Sequence, residues 1–146
     1  MGAETEICLS FLVRQAWLTM RSAVEDALAE HELSVAQYAT LLVLEEQPGA
    51  SISDVARAVA STRQSANELV AGMERIDLVE RRPHPQDRRS QEIRLTSTGQ
   101  GRLTAARPVV HAAEQALEGD LGDDTRASAR AWLTRIAEAG QGSYQP

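Results

Sequence analysis

Lysine is absent from this sequence, and all 15 basic residues are arginine. A GC-rich coding sequence accounts for that choice without any functional demand. It still has a chemical consequence: every cation is a planar fork of donors suited to a phosphate or a guanine edge. Cysteine is almost absent as well. Cys8 stands alone, so no internal disulfide can form, which fits a reducing cytoplasm. His31, His84 and His111 are widely spaced and have no cysteine cluster near them, so no metal site is expected, and no cofactor. No apolar run approaches the roughly 20 residues of a membrane span. The start, Met1–Glu6, is acidic and lacks the layout of a signal peptide. Neither a nucleophile elbow nor a glycine-rich phosphate loop is present, so no catalytic residue is assigned and an enzyme is not expected.

The length of 146 residues suits a single domain, 1–146. A net charge of −6 speaks at first against a nucleic-acid partner, but the distribution matters more than the sum. Arg57 to Arg94 contains eight arginines and six acids, a balance of +2, which leaves −8 for the rest. Within Arg81–Arg94 five arginines face two acids, or +3.

Most of the apolar pattern has a helical period. Val13, Trp17, Met20, Val24 and Leu28 mark a long first helix beginning near Ile7. Ser34 and Gln37 form a capping-box pattern ahead of Tyr38, Leu41, Leu42 and Leu44, and Gln47-Pro48-Gly49 stops this second helix. Ile52, Val55, Ala56 and Val59 predict a short third helix. After Thr62, an N-cap, Ala66, Leu69, Val70 and Met73 predict a fourth. Only a tight turn fits between them, which makes a helix-turn-helix. Val79–Arg82 and Gln91–Leu95 read as strands joined by a polar, arginine-rich stretch from Pro83 to Ser90: a β-hairpin with a basic tip, or wing. Thr96 and Gly99 lead into a long helix with Leu103, Ala106, Val110, Ala113 and Leu117 on one seam, where Pro108 should introduce a kink. Gly119 to Asp124 breaks the pattern. A last helix carries Ala129, Trp132, Leu133 and Ile136, with Gly140 as its stop and a loose tail to Pro146. The expected fold is therefore mainly α, a winged helix-turn-helix head at 33–99 flanked by long dimerisation helices at 1–30 and 98–140.

This order resembles the MarR (multiple-antibiotic-resistance regulator) family. The resemblance rests on Leu33-Ser34-Val35-Ala36-Gln37-Tyr38, on Ile52-Ser53-Asp54-Val55-Ala56, and on Leu69 to Ile76 leading into Leu78-Val79-Glu80-Arg81. Asp87-Arg88-Arg89 looks like the family's wing-tip Asp-x-Arg motif, and Leu95-Thr96-Ser97-Thr98-Gly99 like its Leu-Thr-x-x-Gly entry to helix five. It implies a homodimer whose terminal helices interlock. Its two heads would grip a pseudopalindromic double-stranded DNA operator, usually to repress, and let go when a small molecule or oxidant arrives. The sequence also argues for the dimer directly, since Trp17, Leu103, Val110, Leu117, Trp132 and Ile136 would otherwise leave apolar stripes in water.

Thr62, Arg63, Gln64, Ser65 and Asn67 lie at the start of the fourth helix. In a helix-turn-helix these positions enter the major groove, where Arg, Gln and Asn can pair with base edges. Glu68 beside them could accept from cytosine or repel phosphate. Arg88 and Arg89 are expected to reach the minor groove or phosphates, with Asp87 holding one of them, and Arg75, Arg81 and Arg82 to contact phosphates. The bland counterparts are a solvated polar face and a charged loop. A rival from another class is a winged helix that docks on a protein, against which the arginine-rich tip argues. Cys8 raises a redox-sensing alternative. Similar peroxide sensors place their cysteine where Val13 stands here and surround it with tyrosines, whereas this chain has Tyr38 and Tyr144 alone. Glu4 and Glu6 should also raise the thiol pKa, so a structural or interface cysteine is expected. Finally, a crevice between helices one, two and five, lined by Trp17, Met20, Arg21, Tyr38 and His111, would suit a small aromatic acid, with Arg21 taking the carboxylate.

Overall fold

The computed structural model describes residues 8–59 and 62–141. In chain order the elements are α1 (Leu9–Ala29), α2 (Val35–Glu46), α3 (Ile52–Ala58), α4 (Arg63–Arg75), β1 (Val79–Pro83), β2 (Gln91–Leu95), α5 (Ser97–Glu118) and α6 (Asp123–Gln141). The strands pair antiparallel, Val79 opposite Leu95 through Pro83 opposite Gln91, so the expected winged helix-turn-helix is present. The expected turn at 60–61, the start of helix one at Ile7 and the loose tail fall outside the described residues.

Helix starts follow their caps. Ser34 accepts from the Gln37 N–H at 3.1 Å while the Gln37 side chain accepts from the Ser34 N–H at 2.9 Å. Ser51 and Asp54 repeat this reciprocal bonding ahead of α3. Thr62 accepts from the Ser65 N–H at 3.1 Å and opens α4. Gly49, at φ +84°, makes the turn between α2 and α3. There Ala50 forms a bridge to β2, the Ile93 N–H donating to the Ala50 carbonyl at 2.9 Å, so the wing is fastened to the start of the helix-turn-helix.

Met1–Glu114 and Gln115–Pro146 form two compact units, and the head expected at 33–99 lies within the first. In that first unit one apolar cluster joins Val24 and Leu28 of α1, Leu41 and Leu44 of α2, Val55 of α3, Ala66, Val70 and Met73 of α4, Ile93 of β2, and Leu103, Ala106 and Val110 of α5. Leu103 and Val110 thus differ from their expected place on a face awaiting a second copy; they are buried within the protomer. The rest of α1 stands outside this core, with Leu9, Phe11, Leu12, Trp17 and Leu18 exposed. α5 continues past Pro108 to Glu118, although Pro108 has no N–H to offer the preceding turn. In the second unit α6 starts at Asp123, earlier than the pattern suggested, because Asp123 and Asp124 suit the positive helix start. It also runs through Gly140, which weakens a helix without being obliged to end it.

The entry to α5 is sterically demanding. The Thr96 hydroxyl donates to the Asp77 carbonyl at 2.5 Å and accepts from the Gly99 N–H at 3.0 Å, while the Thr96 N–H bonds the Leu78 carbonyl at 3.2 Å. A Cβ on Gly99 would fall 2.0 Å from the Leu78 carbonyl oxygen, so only glycine lets α5 approach this closely. Gly99→Ala should therefore lower stability by about 1–3 kcal/mol, the range of overpacking, and move the urea midpoint down accordingly. Two residues on, Gly101 has open space where its Cβ would be. Gly101→Ala should be neutral or stabilise by up to about 1 kcal/mol. Equal effects in a urea titration would refute the steric account.

Candidate nucleic-acid interface

The rotation of α4 is set by its apolar residues. Ala66, Val70 and Met73 are fully buried, which turns Arg63, Gln64, Ser65 and Glu68 outward. Its first turn contains no acid, so the positive end of the helix is not neutralised there. Thr62 and Ser65 are partly engaged in starting the helix, their hydroxyls 2.9 Å apart. Arg63 and Gln64 are exposed at the same end, their side chains without an ion pair or hydrogen bond among the described residues.

Asn67 and Arg81 have a different place from the one expected. The Arg81 Nε donates to Glu74 Oε1 at 2.7 Å, one terminal nitrogen to Asn67 Oδ1 at 3.1 Å, and the other to the Asn67 carbonyl at 3.2 Å. The Asn67 amide nitrogen in turn donates to the Arg63 carbonyl at 3.2 Å. A residue of β1 thereby brackets two turns of α4, and its guanidinium is turned inward rather than held out for phosphate.

The wing tip is built by Asp87. One carboxylate oxygen accepts from the Arg89 N–H at 3.0 Å and the other from the Ser90 hydroxyl at 3.2 Å. The Ser90 N–H closes on the Asp87 carbonyl at 3.0 Å, and His84 receives the Gln86 N–H at 3.1 Å on Nδ1. Asp87 therefore holds the backbone of the tip, where a bond to a guanidinium had been expected. Consequently Arg88 and Arg89 are exposed and have no ion-pair partner among the described residues. The other wing arginines are neutralised: Arg81 by Glu74, Arg82 by Glu80, and Arg94 by Glu92 at 2.8 Å. Arg75, near the end of α4, is exposed and also lacks an acid among the described residues.

Of the residues expected to form a crevice, Tyr38 is buried, Met20 half-buried, and Trp17, Arg21 and His111 exposed. The described bonds join none of the other four to Tyr38. Burial pushes the Tyr38 hydroxyl above its usual pKa; the Arg107 charge opposes this, and Glu114 and Glu45 reinforce it. Glu45 accepts from Gln100 at 2.8 Å and Arg107 at 2.5 Å, bonds that hold its carboxyl below the usual range. Glu45, Gln100 and Arg107 escaped the sequence reading. Their signal was there: Tyr38 and Glu45, like Gln100 and Arg107, are seven residues apart and share a helix face. Cys8 also departs from expectation. Its exposed thiol is shifted down, chiefly by the Ser10 hydroxyl 3.0 Å away and then by backbone N–H groups at the start of α1. Glu4 and Glu6, expected to raise it, lie outside the described residues.

Comparison with known proteins agrees with this geometry. A model of the MarR family matches residues 31–90. The transcriptional regulator HosA of Escherichia coli O111:H- is 30% identical over 93 residues, covering 64% of this chain and 69% of HosA. Among solved structures, the transcriptional repressor CouR bound to a 23-mer DNA duplex superposes with a TM-score of 0.81 at 27% identity, over 94% of this chain and 99% of that one. CouR from Rhodococcus jostii RHA1 bound to p-coumaroyl-CoA gives 0.82 at 28% identity, over 94% and 96%.

The wing base carries a pH signature. Glu92 is buried against the Gly49 turn, and its Arg94 bond holds the carboxyl below its ordinary 4.5, against the upward push of burial. A carboxylate depressed on folding stabilises fully above its unfolded pKa, and that contribution is lost as pH falls through the lower folded value. Acidification from pH about 5 to about 3 should therefore cost the parent more stability than Glu92→Gln, whose side chain does not titrate. Parallel denaturation curves for the two across that window would remove Glu92 from the account.

Proposed function

The chain belongs to the MarR family of winged-helix transcriptional regulators, and from that premise we propose that it is a homodimeric repressor released from a pseudopalindromic operator by a small aromatic acid. Its activity is regulation through DNA rather than catalysis, as with the relatives it resembles. The observation that carries the DNA-binding part is the separation of the head's arginines into two sets. Arg57, Arg81, Arg82 and Arg94 are ion-paired within the chain, whereas Arg63 and Arg75 on α4 and Arg88 and Arg89 on the wing tip have no acidic partner among the described residues. In this reading the start of α4 enters the major groove, with Arg63 and Gln64 toward base edges and Ser65 and Thr62 near the backbone. Arg75, Arg88 and Arg89 meet phosphates or the minor groove, and Asp87 keeps the tip in shape. Arg82, paired with Glu80, joins them only by leaving its acid. CouR bound to a 23-mer DNA duplex supports duplex DNA as the partner of this fold.

The dimer follows from apolar residues with nothing over them. Trp17 on α1 and, in the second unit, Leu117, Trp132 and Ile136 are exposed by 38–52%, large apolar side chains of the kind a second copy would cover. The effector reading keeps Trp17, Met20, Arg21, Tyr38 and His111 and adds Arg107, whose charge acts on the Tyr38 hydroxyl. CouR bound to p-coumaroyl-CoA supports an aromatic ligand in this fold, although that ligand is a thioester without the free carboxylate proposed for Arg21. A coupling of about 1–3 kcal/mol would suffice, a roughly 5–150-fold loss of operator affinity.

The experiment is equilibrium binding to duplexes enriched by the protein from a randomised library, measured against salt and against salicylate-type acids. Affinity should fall steeply with salt, and Arg88→Ala and Arg89→Ala should weaken binding to all sequences and flatten the slope by about 0.9 per lost phosphate contact. Gln64→Ala should instead cost about 1–3 kcal/mol at particular base pairs. Binding that ignores both salt and these changes would refute the binding face. Aromatic acids that bind while leaving duplex affinity untouched, in the parent as in Arg21→Ala and Arg107→Ala, would refute the switch.

A further inference from the structure

The bracket between β1 and α4 has a consequence for which residues can read sequence. A bidentate contact from an asparagine to adenine needs both ends of the amide, the oxygen to accept and the nitrogen to donate. Each end of Asn67 already has a partner inside the protein, the oxygen Arg81 at 3.1 Å and one amide N–H the Arg63 carbonyl at 3.2 Å, which fixes the direction of the amide and leaves one donor and one lone pair pointing where these bonds dictate. Arg81 reaches it from a half-buried position, with 19% of its side chain exposed against 57% for Arg82 on the opposite face of the strand. Its other donors are engaged too, on the Asn67 carbonyl and on Glu74, which lies two turns along the same helix face. Three bonds from one rigid fork to two places on α4 hold Asn67 in a single orientation, as a point charge could not.

We infer that Arg81 is a specificity-positioning residue, which withholds the Asn67 amide from the base edges and leaves Arg63, Gln64 and Glu68 to discriminate them. The inference rests on the DNA-binding reading above and adds to it a division of labour within α4. Arg81 is not a phosphate contact in this scheme, and Asn67 is silent until Arg81 is removed.

The test uses the full chain and duplexes enriched by the parent from a randomised library, with affinity measured for every single base-pair change and for salt dependence. Asn67→Ala alone should leave the base preferences within about twofold of the parent. Arg81→Ala should change discrimination at one or more positions under α4 by roughly fivefold or more, the size of a gained or lost base contact, with the salt slope unaltered. Arg81→Lys should show the same change, since it keeps the charge and loses the fork. In the Asn67→Ala, Arg81→Ala double variant the change should vanish, because the freed amide is no longer there. A slope flattened by about 0.9 in Arg81→Ala with unchanged base preferences would make Arg81 a phosphate contact and overturn the inference. So would altered preferences in Asn67→Ala alone, or a change that persists in the double variant. Should Arg81→Ala fail to fold, Arg81→Lys and Asn67→Ala carry the same decision. A parent that enriches no duplex would overturn the DNA-binding reading itself, a failure distinct from these.

Discussion

The burial of three small and medium side chains on α4 governs most of what this molecule presents to a partner. Ala66, Val70 and Met73 have no exposed surface, and they stand at a spacing that lets one face of a helix enter the core. Once that face is committed, α4 cannot rotate without opening a cavity, at a cost of several kcal/mol for residues of this size. The polar positions between them are then assigned by geometry: Arg63, Gln64 and Glu68 outward, Asn67 to the side where β1 passes. The β1 position follows in turn from Leu78 and Val79, buried in the same cluster, and from Gly99, which lets α5 close against the Leu78 backbone.

On that scaffold, electrostatics sorts identical residue types into different roles. The wing is rich in arginine, yet three of its five guanidinium groups are matched with acids of the head. Only the Arg82–Glu80 pair is exposed on both sides and contributes little to stability, but all three decide which cations remain to meet an outside anion. The acidic balance of the rest of the chain does not contradict a polyanionic partner, since screening confines such fields to within about 10 Å at ordinary ionic strength. What matters for docking is the local surplus at the tip and along α4; at the tip Asp87 engages the Arg89 N–H and the Ser90 hydroxyl rather than a guanidinium.

Most of the fold was legible because its signals are local. Ser34, Thr62 and Gly49 are caps and turns that act within a few residues, and the 3.6-residue spacing of Val55 or Val70 reports a buried face without knowledge of its partner. Misreadings came where the deciding contact is distant or the local signal permissive. Leu103 and Val110 were apolar on a helix, which does not say whether the same protomer or a second one covers them. Gly140 is a weak helix residue that α6 absorbs. Asn67 and Arg81 have the chemistry of DNA contacts, and nothing local in the sequence signals that they bond each other across 14 residues. Arg107 lies far along the chain from Tyr38, and only the approach of α5 to α2 brings it to Glu45 and within reach of the Tyr38 hydroxyl.

Two heads acting together is the claim on which repression, operator symmetry and ligand release all depend. Sedimentation velocity of the chain alone and mixed with a selected duplex tests it most directly. The account predicts a dimer at micromolar concentration and a complex of two chains on one duplex. A folded monomer, or a saturated complex of one chain per duplex, would contradict it.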